Sequence, residues 1–204
     1  MQSVIAEAPV ASEKRRLRAE LRALRRRLDA SALARAAGLV HAAAAALPAL
    51  AAARTVAGYA ACDGELDVTP ILDAARERGA AVALPRCRTD AGLDLVIVGD
   101  ARGPLAVRGA RGRVPEPTGP ACDPAGLPTP AVVLVPSVGL DRHGFRLGRG
   151  GGDYDRLLPA LRAAGWTIVG VCHAAALVDG LPAEPHDVPV DAILTDEGVV
   201  LPAR

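Results

Sequence analysis

Near residue 150 the chain passes from an apolar strand into an amphipathic helix through a loop made almost entirely of glycine, arginine and aspartate, and few folds can house such a joint. Residues 132–135 are a short β-branched, apolar run closed by Pro136. Residues 154–161 have the period of a helix, so Gly148, Gly150, Gly151 and Gly152 fall at its entrance. Glycines there let backbone N–H groups close in on an anion, and the positive end of the helix adds to the attraction. Arg146 and Arg149 carry planar forks suited to phosphate oxygens. From these residues alone a nucleotide site and a plain tight turn are equally good readings, because neither the P-loop nor the dinucleotide-binding spacing is present.

The rest of the chain sets the frame. A helix is expected over residues 12–28, capped by Ser12, and a second over 31–47, with Pro48 ending it or in the following loop. Residues 55–61 read as a buried strand, 68–78 as a helix closed by Gly79, and 81–84 as a strand stopped by Pro85. Residues 93–98 add a strand; 99–130, rich in Gly and Pro, read as a surface loop or lid. Strands over 167–172 and 192–195, the last one, flank an irregular stretch at 179–190. Strands alternating with helices imply an α/β fold: a single-domain three-layer α/β/α arrangement with a mostly parallel central sheet. Residues 1–11 lack periodicity and read as a disordered N-terminal tail, leaving 12–204 as the domain.

A chain of 204 residues that is 50% hydrophobic can bury one sizeable core. With 24 basic against 23 acidic residues, no broad field favours nucleic acid. No signal peptide or spanning segment is read, which excludes a membrane partner and points to the cytoplasm. The four cysteines, Cys62, Cys87, Cys122 and Cys172, lie far apart without CxxC spacing, as reduced, mostly buried thiols do.

Several side chains carry chemistry. On the first helix Leu17, Leu21, Leu24 and Leu28 form an apolar stripe, and Lys14, Arg18 and Arg25 fall in an arc beside it; such an arc is either a solvated basic face or an anion contact. Glu65 follows the 55–61 strand at the carboxyl edge of the sheet, where open α/β folds bind ligands, although Glu65 and Asp67 serve equally well as helix caps. Asp155 and Asp187 read, as bare residues, as a helix N-terminal charge and an Asx turn. His41, His143, His173 and His186 have no recognisable catalytic partner in sequence and read as surface or supporting residues. Ser137 lacks the Gly-x-Ser-x-Gly context of a hydrolase nucleophile.

The ordered string Asp141, Gly144, Arg146-Leu147-Gly148-x-Gly150-x-Gly152, Tyr154-Asp155-Arg156 closely resembles the signature of the 5-formyltetrahydrofolate cyclo-ligases, also called methenyltetrahydrofolate synthetases. The likeness extends over most of the chain, through Lys14, the Glu65 region and the tail around Asp187. It implies an ATP- and Mg²⁺-dependent enzyme that cyclises 5-formyltetrahydrofolate, a reduced folate, to 5,10-methenyltetrahydrofolate. The γ-phosphoryl activates the formyl oxygen, the second folate nitrogen attacks, and ADP and phosphate are released. The resemblance places Lys14, Arg15, Arg16, Leu17 and Arg18, with Arg146, Leu147, Gly148, Arg149, Gly150, Gly151, Gly152, Asp153 and Tyr154, against the nucleotide. Of these, Arg146, Arg149 and Tyr154 take catalytic roles. Ala60 and Glu65 face the folate, Asp155 and Asp187 hold the metal, and Asp141 braces the loop.

One departure stands out. The family usually reads Gly-Tyr-Tyr-Asp where this chain reads Gly152-Asp153-Tyr154-Asp155, which puts a carboxylate beside phosphates. Asp153 is then an extra metal ligand, a solvent-facing group, or the mark of a non-catalytic or altered-substrate nucleotide- or folate-binding paralogue on the same fold. Arg111 or Arg113 would meet a polyglutamate tail. The expected assembly is a monomer or weak homo-oligomer.

Overall fold

The structure is a computed structural model and describes residues 10–89, 92–99, 105–106, 115–185 and 187–203. The tail expected over residues 1–11 lies outside the described residues as far as residue 9, as do His186, Arg111 and Arg113.

In chain order the elements are α1 (Val10–Arg25), α2 (Ala30–Ala44), α3 (Pro48–Ala52), β1 (Thr55–Ala57), α4 (Thr69–Glu77), β2 (Ala81–Cys87), β3 (Leu93–Ile97), β4 (Leu105–Ala106), β5 (Glu116–Pro117), β6 (Ala131–Pro136), β7 (Gly139–Asp141), β8 (Arg146–Leu147), α5 (Asp153–Ala163), β9 (Thr167–Val171), β10 (Leu177–Val178), β11 (Ala192–Thr195) and β12 (Gly198–Val200). Seven strands form the main sheet in the order β12-β11-β9-β6-β1-β2-β3. Its five inner strands are parallel, and the edge strands β12 and β3 are antiparallel.

The two faces follow from strand alternation. Val132 and Leu134 turn to a core shared with Val40, Leu50, Ile71 and Leu72 of α2, α3 and α4. Val133 and Val135 turn to the opposite core, filled by Leu21 of α1, Leu158 and Leu161 of α5, and Trp166. The mostly parallel, three-layer single domain expected from the alternating pattern is therefore the fold observed. Trp166 is buried with its indole N–H donating to the Pro124 carbonyl at 3.2 Å, so the large ring brings no unsatisfied donor into the aliphatic core.

This topology fixes where a ligand can bind. From β1 the chain crosses to β2 through α4 on one face; from β6 it crosses to β9 through α5 on the other. The carboxyl ends of the adjacent strands β1 and β6 thus mark the point where connections diverge, and a crevice opens there. The segment after β1 carries residues 58–65, and the segment after β6 carries the glycine loop.

Several local expectations need correction. α1 starts at Val10, so Ser12 lies inside its first turn and does not cap it. The side-chain cap belongs instead to Asp29 of α2, whose carboxylate accepts from Ala32 N–H at 2.7 Å. Pro48 opens the short helix α3 rather than ending α2 or lying in a loop. β1 ends at Ala57, leaving Ala60 and Ala61 in the following segment. Pro85 does not stop β2. Ala81 N–H donates to Arg54 and the Ala83 carbonyl accepts from Gly58, so alternate residues face β1; Pro85 faces the same side where β1 has ended and no donor is needed. β11 is followed by one more strand, β12, which a turn at Asp196 and Glu197 folds back on it.

Candidate functional site

The crevice is a cleft of about 850 Å³, within the range of small-molecule sites. Its lining gathers residues distant in sequence: Lys14, Arg18 and Arg22 from α1, Ala60 and Glu65 after β1, Arg146 and residues 148–155 of the glycine loop, and Asp187. Arg15, Arg16, Leu17 and Leu147 do not line it. Arg15 is exposed, Arg16 pairs with Glu20 one turn along at 2.7 Å, and Leu17 and Leu147 pack in the core.

The cationic wall is built by α1 against the loop. Arg18 Nε donates to the Gly148 carbonyl at 2.8 Å and Arg22 to the Arg149 carbonyl at 3.1 Å, so two arginines occupy the loop's acceptors. Gly150 and Gly152 hold positive φ of 99° and 67°, which an L side chain resists. Gly152 is the N-cap of α5 and has no side-chain cap bond. Arg146 is almost fully buried, with its guanidinium 5.8 Å from the centre of the Tyr154 ring and paired with Asp155. Its Nε is buried and meets no hydrogen-bond partner among the described residues.

At the cleft's edge the buried Lys14 ammonium donates to Glu184 at 2.8 Å and to Asp187 at 2.9 Å; Asp187 also accepts from Glu184 N–H at 2.8 Å. Burial pulls the lysine down, but the hydrogen bonds and charges of Glu184 and Asp187 outweigh it and hold the ammonium above the ordinary 10.5. Among the described residues no group of three or more His, Cys, Asp or Glu side chains is gathered to hold a metal. Asp155 and Asp187 both line the cleft, each against a cation.

The opposite wall is the turn at residues 62–65. Glu65 is buried, and its Oε2 accepts from Cys62 N–H at 3.2 Å. Tyr59 and Tyr154 both line the cleft; burial first, then the charge of Glu65, pushes both phenols above their ordinary range and keeps them neutral donors. Burial and Glu65 likewise push the Cys62 thiol up to about 11. Arg149 crosses the cleft, pairing with Asp63, contacting Cys62 Sγ and standing 3.8 Å from Glu65.

Asp153 accepts from Gly92 N–H at 3.3 Å, and Arg156 stands 3.4 Å away. Asp141, fully buried, accepts from the N–H groups of His143, Phe145 and Leu181 at 2.9 Å each, bracing the β7–β8 hairpin that presents Arg146. Residues the sequence reading left without a role also face the cleft: Arg22, Arg26, Tyr59, Cys62, Asp63 and Glu116. Arg22 was accessible as the residue one turn beyond Arg18. Glu184 belongs to an irregular segment and Glu116 to the two-residue strand β5, too short for a period to assign its facing.

Residues 10–196 match the model of the 5-formyltetrahydrofolate cyclo-ligase family. The 5-formyltetrahydrofolate cyclo-ligase of Mycolicibacterium smegmatis is 36% identical over 152 residues, covering 74% of this chain and 78% of that protein. The protein of the same name from Escherichia coli K12 is 34% identical over 148 residues, covering 72% and 80%. Among solved structures, the NMR structure of Aquifex aeolicus 5,10-methenyltetrahydrofolate synthetase matches with a TM-score of 0.73 at 28% identity over 92% of each chain. A family match running from the basic helix past the last parallel strand, over the same fold, leaves one conclusion: the chain belongs to the 5-formyltetrahydrofolate cyclo-ligase family, a family of ATP-dependent ligases.

Proposed function

We propose that this protein uses ATP to cyclise 5-formyltetrahydrofolate to 5,10-methenyltetrahydrofolate, with release of ADP and phosphate. The observation that carries the reading is the bridge made by Arg149. One side chain from the glycine loop reaches the Glu65 wall, so an anion held by the loop and a ring held by Glu65 would lie side by side in one cleft. Adjacency of this kind is what phosphoryl transfer between two bound molecules requires.

Each residue has a task. Arg146 lines the cleft and brings its guanidinium charge to phosphate oxygens, and Arg149, Arg18 and Lys14 add to it. The N–H groups at the start of α5 add the helix's positive end. Tyr154, neutral and stacked beside Arg146, supplies a hydroxyl donor at the reacting groups. Glu65 accepts from the amino and ring N–H groups of the pterin, with Ala60 packing nearby. Asp155 and Asp187 are hard oxygen donors of the kind Mg²⁺ takes, one or two at a time beside phosphates. Mg²⁺ held by them would neutralise phosphate charge, and Lys14 and Arg146 position the two carboxylates.

The placement of Asp153 supports turnover over the non-catalytic or altered-substrate paralogue, because Arg156 and Gly92 N–H meet its charge at the start of the helix. None of the four cysteines forms a disulfide, in keeping with a cytoplasmic enzyme, and a monomer or weak homo-oligomer is the assembly we propose. The test is to mix the purified protein with 5-formyltetrahydrofolate, ATP and Mg²⁺ and follow methenyltetrahydrofolate absorbance. A rise that vanishes without ATP supports the reading; a flat trace, or a rise indifferent to ATP, contradicts it.

A further inference from the structure

The turn that carries Glu65 is a tight left-handed reversal. Asp63 has a φ of 51°, the one positive value outside glycine among the described residues, and Gly64 follows at 73°. Two successive left-handed residues closed by Glu65 N–H donating to the Cys62 carbonyl at 3.0 Å make a tight reversal. Asp is among the few side chains that visit this conformation routinely, so the reversal forms locally and surrounding bonds set where it stands. One of them comes from below. His173, buried just after β9, places Nε2 2.9 Å from the Gly64 carbonyl, and its Nδ1 lies 3.5 Å from Asp196, just after β11. Asp196 is itself fixed, accepting from Ala174 N–H at 2.7 Å. Both neighbours of the ring are acceptors, so the imidazole serves the turn as a donor.

We propose that His173 and Asp196 are positioning residues for the 62–65 turn: from the carboxyl ends of two neighbouring parallel strands they set the height and tilt at which Glu65 enters the cleft, and thereby the affinity for the folate. This rests on the assignment of Glu65 to the folate. The glycine loop takes its own hydrogen bonds from Arg18 and Arg22 of α1 and meets the turn through Arg149, so the effect falls mainly on the folate.

The experiment compares steady-state constants for His173→Ala, His173→Gln, Asp196→Asn and Glu65→Gln, with melting temperatures for each. His173→Ala is expected to raise the KM for 5-formyltetrahydrofolate about five- to tenfold, the loss of one buried hydrogen bond, while the KM for ATP stays within about twofold. His173→Gln, whose amide N–H₂ can reach the Gly64 carbonyl, is expected to recover most of the loss. Asp196→Asn keeps the acceptor for Ala174 and should show a smaller rise; it and the glutamine variant serve as the test if the alanine variant does not fold. A parallel rise in both KM values, or no rise for the folate beside a raised value in Glu65→Gln, overturns the proposal alone. An unchanged folate KM in Glu65→Gln overturns the Glu65 assignment and the proposal with it.

Discussion

The two walls of the cleft are built on different physics. The α1 and glycine-loop wall is cationic and half-exposed, with arginines on loop carbonyls and glycines at positive φ. The 62–65 wall is a buried carboxylate with neutral phenols nearby, tied down from the sheet edge. Charge at a wet surface attracts phosphate without fixing its position closely, and salt screens it. A buried acceptor discriminates by hydrogen-bond pattern, because any unmatched group there carries its full desolvation cost. The cleft therefore separates attraction from selection, and Arg149 joins the two sides.

Substitutions can break that division, starting with the largest effect. Arg146→Ala removes the buried donor at the junction of the walls and should lower kcat about a hundred- to a thousandfold. Lysine should not restore it, lacking the fork that meets Asp155 while leaving a second donor; the methenyltetrahydrofolate assay reads this. Glu65→Gln should raise the folate KM about ten- to a hundredfold, the range for a hydrogen bond to a charged group, with the ATP KM nearly unchanged. Equal losses for both ligands would dissolve the distinction.

Lys14→Met tests how the cationic wall is anchored. It leaves Asp187 without its ammonium and should cost about 1 kcal/mol, a fall of roughly 2–4 °C in Tm for a chain of this size. Because the folded pKa of Lys14 lies above the ordinary 10.5, its stabilisation is full below that pH and is lost as pH rises through the folded value. The Tm gap between wild type and variant should therefore be constant near neutrality and close in strongly alkaline buffer. Smallest is Gly152→Ala, which forces an L residue to a φ of 67° with the end of Arg156 3.1 Å from the new Cβ. The backbone cost is about 1 kcal/mol, read as a small drop in Tm. Arg156 can swing aside, which limits the effect.

How much of this was legible in the sequence varies by region. The sheet and its helices were, because β-branched runs such as residues 132–135 and the periodic helices are local signals that packing reinforces. Strand ends were less so: whether Pro85 stops a strand depends on where its neighbour β1 stops, which is not local information. The glycine loop, Glu65 and Asp187 could be singled out by motif. The pairing of Lys14 with Glu184 joins residues 170 apart, and the contact of His173 with Gly64 joins residues 109 apart; both depend on the topology that brings the strand ends together. Helical spacing contained Arg22, one turn beyond Arg18, whereas Glu116 follows a segment without period.

The most direct test of two separate walls is a crossed titration by calorimetry. A non-hydrolysable ATP analogue and 5-formyltetrahydrofolate are each titrated into wild type, Glu65→Gln and an Arg18→Ala/Arg22→Ala double variant, whose two arginines bond only the glycine loop. The account predicts that Glu65→Gln loses affinity for the folate and keeps the nucleotide, and that the arginine variant does the reverse. Variants that weaken both ligands alike, or a nucleotide that depends on Glu65, would contradict it.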